Sequence, residues 1–66
     1  MRADTPELRA AVVDVLAELG PTRPNKLLKR LRKEYGASHR AANETMFRMM
    51  HDGSIRRTFT GKVKLP

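Results

Sequence analysis

Residues 31–55, LRKEYGASHRAANETMFRMMHDGSI, decide how this chain folds. The apolar residues in the second half of this stretch occupy positions i, i+4, i+7 and i+8: Ala42, Met46, Met49 and Met50. On an α-helix, with about 3.6 residues per turn, these positions form one face. The opposite face then carries Arg40, Asn43, Glu44, Phe47 and His51. Ser38 suits an N-cap and Gly53 a C-cap, so the predicted helix spans 38–52.

A second helix is predicted immediately upstream, over 25–35. Its apolar residues have helical spacing, and all of them are expected to face the core: Leu27, Leu28, Leu31 and Tyr35. Gly36 ends this helix, so only two or three residues separate it from the next one. Such a short connection forces the two helices to cross sharply, as in a helix-turn-helix.

A first helix is predicted over 5–19. Thr5 can cap it, and Pro6 fits the first helical position, where its missing N–H costs nothing. Its apolar face consists of Leu8, Val12, Val15, Leu16 and Leu19. Asp14 and Glu18 lie on the exposed side and would repel phosphate groups, so we expect this helix to be scaffold.

Two short β-prone runs surround Gly61, which predicts a hairpin over 54–65. A three-residue loop at 60–62 would place all the apolar residues of the hairpin on its core side: Ile55, Phe59, Val63 and Leu65. A two-residue loop would not. The expected fold class is therefore α+β, with three helices and a C-terminal hairpin, forming one domain over 1–66.

Composition excludes several classes of protein. With 66 residues, no Cys and two His, the chain predicts no disulfide framework, no metal site and no cofactor, and its small core leaves little volume for a catalytic pocket. Paired carboxylates in an apolar setting and a phosphate-cradling glycine loop are also missing, so we do not expect an enzyme. No membrane span or signal peptide is predicted, and a cytoplasmic protein is expected.

The charge is distributed unevenly. The formal net charge is +7, with two basic and four acidic residues in 1–20 but twelve basic and three acidic residues in 21–66. Excess Lys and Arg can simply keep a small protein soluble. The asymmetry instead favours one basic side that binds a polyanion, because a solubilising charge has no need to be segregated.

Residues 31–65 resemble the winged helix-turn-helix of bacterial transcription regulators, and more narrowly the DNA-binding domain of GntR-type regulators. The positions that match the family pattern are Leu31, Tyr35, Gly36, Ala37, Ser38, Ala42, Glu44, Met46, Met49, Gly53 and Gly61. Arg32, His39 and Asn43 depart from that pattern, so the base preference of the family is not carried over. The resemblance implies a bacterial or phage regulator whose helix over 38–52 enters the major groove and whose hairpin is the wing.

The first turn of the helix over 38–52 holds the candidate base-contacting residues. Ser38, His39 and the helix amides can hold a phosphate, while Arg40 suits guanine and Asn43 suits adenine. Glu44 is expected to pair with Arg40 or Arg48 one turn away rather than to contact a base. Phe47 has three interpretations that stay open: contact with a thymine methyl group, packing under the wing, or contact with a partner chain.

The remaining candidates are cations outside this turn. Lys26 is expected on a phosphate, because the first helix of a helix-turn-helix crosses the backbone near its N-terminal end, whereas Lys33 is expected to be solvated. The complete set of candidate DNA-binding residues is Lys26, Ser38, His39, Arg40, Asn43, Arg48, Arg56, Arg57, Lys62 and Lys64. The cations of the hairpin are expected to bind phosphate or the adjoining minor groove. They can also protect the exposed edge of the hairpin from pairing with another chain, and this role is compatible with DNA binding.

These observations predict a double-stranded DNA-binding protein associated with the nucleoid, used in transcriptional control. Side-by-side binding would let DNA assemble several copies without a large preformed dimer interface. Two other functions remain open: a winged-helix module that binds protein through Phe47 and the hairpin edge, and a nucleic-acid binder driven by charge alone.

Overall fold

The computed structural model describes residues 5–66, so the first four residues of the predicted domain lie outside the described part of the chain. Three helices are followed by a two-stranded antiparallel hairpin. The helices are α1 (Pro6–Leu19), α2 (Pro24–Tyr35) and α3 (His39–Asp52). The strands are β1 (Arg56–Arg57) and β2 (Val63–Lys64).

The helix ends are set by local hydrogen bonds. The Thr5 hydroxyl accepts from the Leu8 N–H at 3.2 Å, and the Ser38 hydroxyl accepts from the Ala41 N–H at 3.1 Å. These bonds satisfy N–H groups that have no partner within the helix. At the end of α2, Gly36 adopts the left-handed conformation, with φ of 65°. Residues 36–38 then connect α2 to α3.

The core lies between the three helices and the hairpin. Its buried apolar side chains are Leu8, Ala11, Val12, Val15, Leu16, Leu27, Leu28, Leu31, Ala42, Met46, Met49, Ile55 and Val63. Leu19, Met50 and Leu65 are partly buried against this cluster. The predicted apolar faces of α1 and α3 therefore do point inward.

Tyr35 does not belong to the core, and its predicted inward position is wrong. Its side chain is 47% exposed. Leu31, one turn earlier, completes the buried face of α2 with no exposed surface. Tyr35 is the last residue of the helix, where its hydroxyl can stay in water and needs no buried partner.

The hairpin register also corrects the prediction. Arg56 pairs with Lys64 and Arg57 with Val63, and the Thr58 N–H donates to the Lys62 carbonyl, so the loop consists of residues 59–61 rather than 60–62. A three-residue loop needs a left-handed residue at its last position. In the observed register that residue is Gly61, with φ of 84°, whereas the predicted register would impose this conformation on Lys62. Phe59 consequently lies in the loop and is fully exposed.

A third segment pairs with the hairpin. Thr22, in the connection between α1 and α2, forms an antiparallel bridge with Val63. Val63 is fully buried, and Thr22 is only 5% exposed. This bridge attaches the hairpin to the segment that precedes α2, so the hairpin is held by the sheet as well as by the apolar core.

Candidate nucleic-acid interface

The outward face of α3 carries two polar side chains whose hydrogen-bonding groups are unused within the described residues. The Arg40 side chain is exposed and that of Asn43 is half-buried at the surface. Within residues 5–66, neither side chain takes part in a hydrogen bond or an ion pair. Their donors are therefore available to a ligand. Arg40 and Asn43 are three positions apart, so they lie on the same face of the helix.

Phe47 and His51 continue this face toward the end of α3, and both are exposed. Phe47 is 60% exposed, so it does not pack under the hairpin in the free protein. It lines a shallow cleft together with Arg9, Arg48, His51 and Asp52. Of the three interpretations of Phe47, contact with a base and contact with a partner chain remain.

Each carboxylate downstream of residue 20 is held by an arginine. Glu44 accepts from Arg48 at 3.4 Å, which selects Arg48 over Arg40 as its partner. Glu34 accepts from Arg30 at 2.7 Å, and Asp52 accepts from Arg9 at 2.8 Å. All three carboxylates are therefore paired with Arg9, Arg30 or Arg48, and none is paired with one of the remaining cations.

Asp52 accepts three hydrogen bonds. Its oxygens accept from the hydroxyl of Ser54 at 2.6 Å, from the Ser54 N–H at 2.9 Å and from Arg9. The Ser54 hydroxyl, followed by Arg9 and the Ser54 N–H, lowers the pKa of Asp52 to about 2. The carboxylate is thus bound in three directions at the end of α3, and it ties α1 to the residues that lead into the hairpin.

Ten cations of residues 21–66 have no carboxylate partner within the described residues 5–66. They are Arg23, Lys26, Lys29, Arg32, Lys33, Arg40, Arg56, Arg57, Lys62 and Lys64. All of them are exposed except Lys62, which is half-buried. The unbalanced positive charge therefore lies at the surface.

The hairpin holds like charges directly opposite each other. Arg56 and Lys64 are cross-strand partners, and both are exposed. Side chains at such paired positions lie about 5 Å apart at Cβ, and like charges there destabilise the sheet. Arg57 is opposite the buried Val63, and its own side chain extends into solvent. An anion placed beside the hairpin would relieve this repulsion.

A further group of cations comes together where the hairpin meets α2. Arg23, Lys26 and Lys62 line one cleft, with Leu19, Pro21 and Thr22 forming the rest of its wall. Lys26 and Lys62 were expected as separate phosphate contacts, and the Thr22–Val63 bridge brings them to the same cleft. Three cations without a carboxylate between them form a local positive potential suited to a phosphate.

Arg23 was absent from the predicted set. The pairing of the segment before α2 with the hairpin was not predicted either. The available signals were Pro24, which restricts the preceding Arg23 to extended backbone, and the β-branched Thr22. Of the other predicted residues, Ser38 and His39 are exposed at the start of α3, with the Ser38 hydroxyl already engaged as the N-cap.

No group of three His, Asp or Glu side chains suited to a metal ion is present in residues 5–66. None of the helices in this range combines the length and the apolar character needed to cross a bilayer. Comparison with protein-family models, with curated proteins and with solved structures finds no match to this chain. The resemblance to GntR-type regulators therefore rests on the matching residues alone.

Proposed function

We propose that this protein is a winged helix-turn-helix that binds double-stranded DNA and acts as a small transcriptional regulator in the cytoplasm, associated with the nucleoid. In this proposal α3 enters the major groove, and the hairpin contacts the flanking backbone or the adjoining minor groove. The order of three helices and a hairpin is compatible with that architecture. The three-residue connection between α2 and α3 is also typical of a helix-turn-helix.

The observation that carries the proposal is the partition of charge. The three carboxylates after residue 20 are occupied by arginines, while ten cations lack such partners among the described residues. A surface that binds DNA needs cations of this kind, because each phosphate contact requires a cation without an internal partner.

The face of α3 supports direct contact with bases. An α-helix with its side chains is about 10–12 Å wide, which matches the major groove at about 12 Å. Arg40 and Asn43 offer donors at the N-terminal end of α3, where helix-turn-helix proteins contact base edges. In this arrangement Arg40 would bind the acceptors of guanine, and Asn43 would pair with adenine.

Salt dependence of binding tests the proposal. The full chain is titrated into an end-labelled DNA duplex between about 50 and 200 mM salt, and affinity is measured by fluorescence anisotropy. The phosphate contacts are expected from five cations: Lys26, Arg56, Arg57, Lys62 and Lys64. If each of them neutralises one phosphate, the logarithm of affinity falls with a slope of about −4.5 against the logarithm of the salt concentration.

Two variants give the matched comparison. Lys62→Ala should reduce the steepness of the salt dependence by about 0.9, whereas Lys33→Ala removes the same charge from the last turn of α2 and should leave the slope unchanged. Absence of duplex binding at about 50 mM salt would reject the proposal.

Phe47 supports a second candidate function, a protein-binding module. Its 60% exposed ring lies in a cleft whose other residues include both charges of the Arg9–Asp52 pair. Exposed aromatic rings and arginines are enriched in protein interfaces, and this cleft holds Phe47 beside Arg9 and Arg48. Binding of a protein there would show little dependence on salt, so the same titration distinguishes the two functions.

A further inference from the structure

Phe59 is the most exposed of the large apolar side chains in the described residues. Its relative exposure is 106%, as large as in an extended chain, compared with 39–60% for Val13, Tyr35 and Phe47. No apolar neighbour covers the ring, and it lies at the tip of the hairpin. The position is a cost to the free protein, because a fully exposed Phe forfeits the favourable burial of its whole ring.

The loop that presents Phe59 is held by its own hydrogen bonds. The Gly61 N–H donates to the Thr58 carbonyl at 3.0 Å, and the Lys62 N–H donates to the Thr58 hydroxyl at 2.9 Å. The hydroxyls of Thr58 and Thr60 are 3.1 Å apart and share a further hydrogen bond. A loop held in this way keeps the ring outside the fold, so its backbone has little conformational entropy left to lose when a ligand covers the ring.

The surroundings of the ring define the kind of ligand. Residues 56–64 contain four cations and no carboxylate, so Phe59 projects from a positively charged collar formed by Arg56, Arg57, Lys62 and Lys64. A ligand that complements this surface has dense negative charge on either side of an apolar gap that can accept the ring. Duplex DNA has both, because phosphates line the minor groove and the gap between adjacent base pairs accepts an aromatic wedge.

We propose that Phe59 is a minor-groove wedge, which inserts between adjacent base pairs and bends the duplex while the surrounding cations bind the flanking phosphates. This inference rests on the proposed DNA-binding function and deepens it. The wedge favours pyrimidine–purine steps such as TA and CA, because these steps unstack most easily. Part of the sequence preference of the protein then comes from the deformability of the DNA beside the site contacted by α3.

A bilayer carrying anionic lipid is the other surface with negative charge over an apolar interior. One inserted ring surrounded by cations would also bind such a surface, as a weak and reversible anchor. Asn43, an uncharged amide on the outward face of α3, matches the edge of a base and has no comparable partner among lipid headgroups. The inference therefore follows the proposed DNA-binding function and takes the duplex, and vesicle binding becomes an outcome of the test.

The experiment uses the full chain and short duplexes that contain TA and CA steps, with 2-aminopurine replacing the adenine at one step in each. A second set of duplexes carries a donor and an acceptor dye at opposite ends. Insertion of Phe59 should raise the 2-aminopurine fluorescence, because the base loses its stacking partner, and should shorten the distance between the dyes.

Variants distinguish the contribution of the Phe59 ring from that of the surrounding cations. Phe59→Ala should abolish both signals and weaken binding by about 10-fold, with the salt slope unchanged because no charge is removed. Phe59→Leu keeps an apolar wedge and should retain most of both signals. Val13→Ala removes another exposed apolar side chain, on α1 and away from the proposed interface, and should leave both signals intact.

The outcomes also separate this inference from the proposed function. Steep salt dependence with no 2-aminopurine response or bending overturns the wedge and leaves DNA binding standing. An equal response from Phe59→Ala and the unchanged chain overturns it as well. Binding to phosphatidylserine vesicles without binding to any duplex would reject both proposals.

Discussion

Thr22 and Val63 exchange two backbone hydrogen bonds across the molecule. The Thr22 N–H donates to the Val63 carbonyl at 2.9 Å, and the Val63 N–H donates to the Thr22 carbonyl at 2.7 Å. Val63 pairs with Arg57 on its other side. It is therefore the central residue of a small three-segment sheet that connects the hairpin to the start of α2, and through it Lys62 reaches the cleft shared with Lys26.

Replacing Thr22 by Pro should loosen the hairpin. The change removes the N–H that satisfies the buried Val63 carbonyl, at an expected cost of roughly 1–3 kcal/mol in the free energy of unfolding. Thr22→Ala retains this N–H and loses only the hydroxyl bond to the Gly20 carbonyl, at 2.8 Å, so its effect should be smaller. Hydrogen exchange of the Val63 amide measures the difference, and equal protection in both variants would contradict the role given to the bridge.

The methionines of α3 should differ in their contribution to stability. Met49 is 1% exposed, whereas Met50 is only partly buried. Met49→Ala should lower the free energy of unfolding by about 2–5 kcal/mol, because it leaves a cavity beneath α3, and Met50→Ala should cost less. Urea titration followed by circular dichroism measures both. Met49→Leu, which nearly conserves volume, should stay within about 1.5 kcal/mol of the unchanged chain.

Asp52 should make stability depend on pH in the acidic range. Its pKa is lowered to about 2 in the folded protein, from an ordinary value of 3.8. The folded state therefore binds fewer protons than the unfolded state between these values, and the stabilisation, complete above about pH 4, is lost as the pH falls toward about 2.

Asp52→Asn supplies the control for that prediction. Thermal unfolding at a series of pH values between about 2 and 5 should show a shallower loss of Tm for Asp52→Asn than for the unchanged chain. Parallel curves for the two proteins would show that the bonds from Ser54 and Arg9 add nothing to stability.

Gly36 should tolerate Asn better than Ala. No heavy atom outside the chain neighbours lies within 4 Å of the position a Cβ would take, so the cost of substitution arises from the left-handed backbone, with φ of 65°. Ala should destabilise the fold by about 1–2 kcal/mol, and Asn should cost less because its side chain tolerates this conformation. Chemical denaturation of the two variants measures the difference, and a larger effect of Asn would contradict the explanation.

Arg40 and Lys62 should affect DNA binding in different ways. Arg40→Ala should reduce discrimination between sequences, with a cost of about 1–3 kcal/mol at a preferred site, because a base contact is lost. Lys62→Ala should weaken binding to all sequences nearly equally, because phosphates carry no base identity. Selection of bound duplexes from a random pool measures both effects. Uniform weakening by Arg40→Ala would favour binding driven by charge alone.

Local sequence determined where the helices begin and end. Thr5 and Ser38 cap α1 and α3 through their own side chains, and the glycines at 36 and 53 adopt the positive φ that ends α2 and α3. These choices depend on residues within one helical turn, and the apolar spacing of α1 and α3 fixes which face is buried. The charge asymmetry between the two ends of the chain is likewise a property of the sequence alone.

Only the tertiary structure decided how distant segments meet. Thr22 lies about 40 residues before its partner Val63, and Arg9 is separated by 43 positions from Asp52. Such pairs depend on how the helices dock, and no local preference specifies them. The hairpin register was decided in the same way, because burial of Ile55 and Val63 had to agree with a glycine at the left-handed loop position. In the register that meets both conditions, Phe59 lies at the tip of the loop, whereas the prediction had placed it in the core.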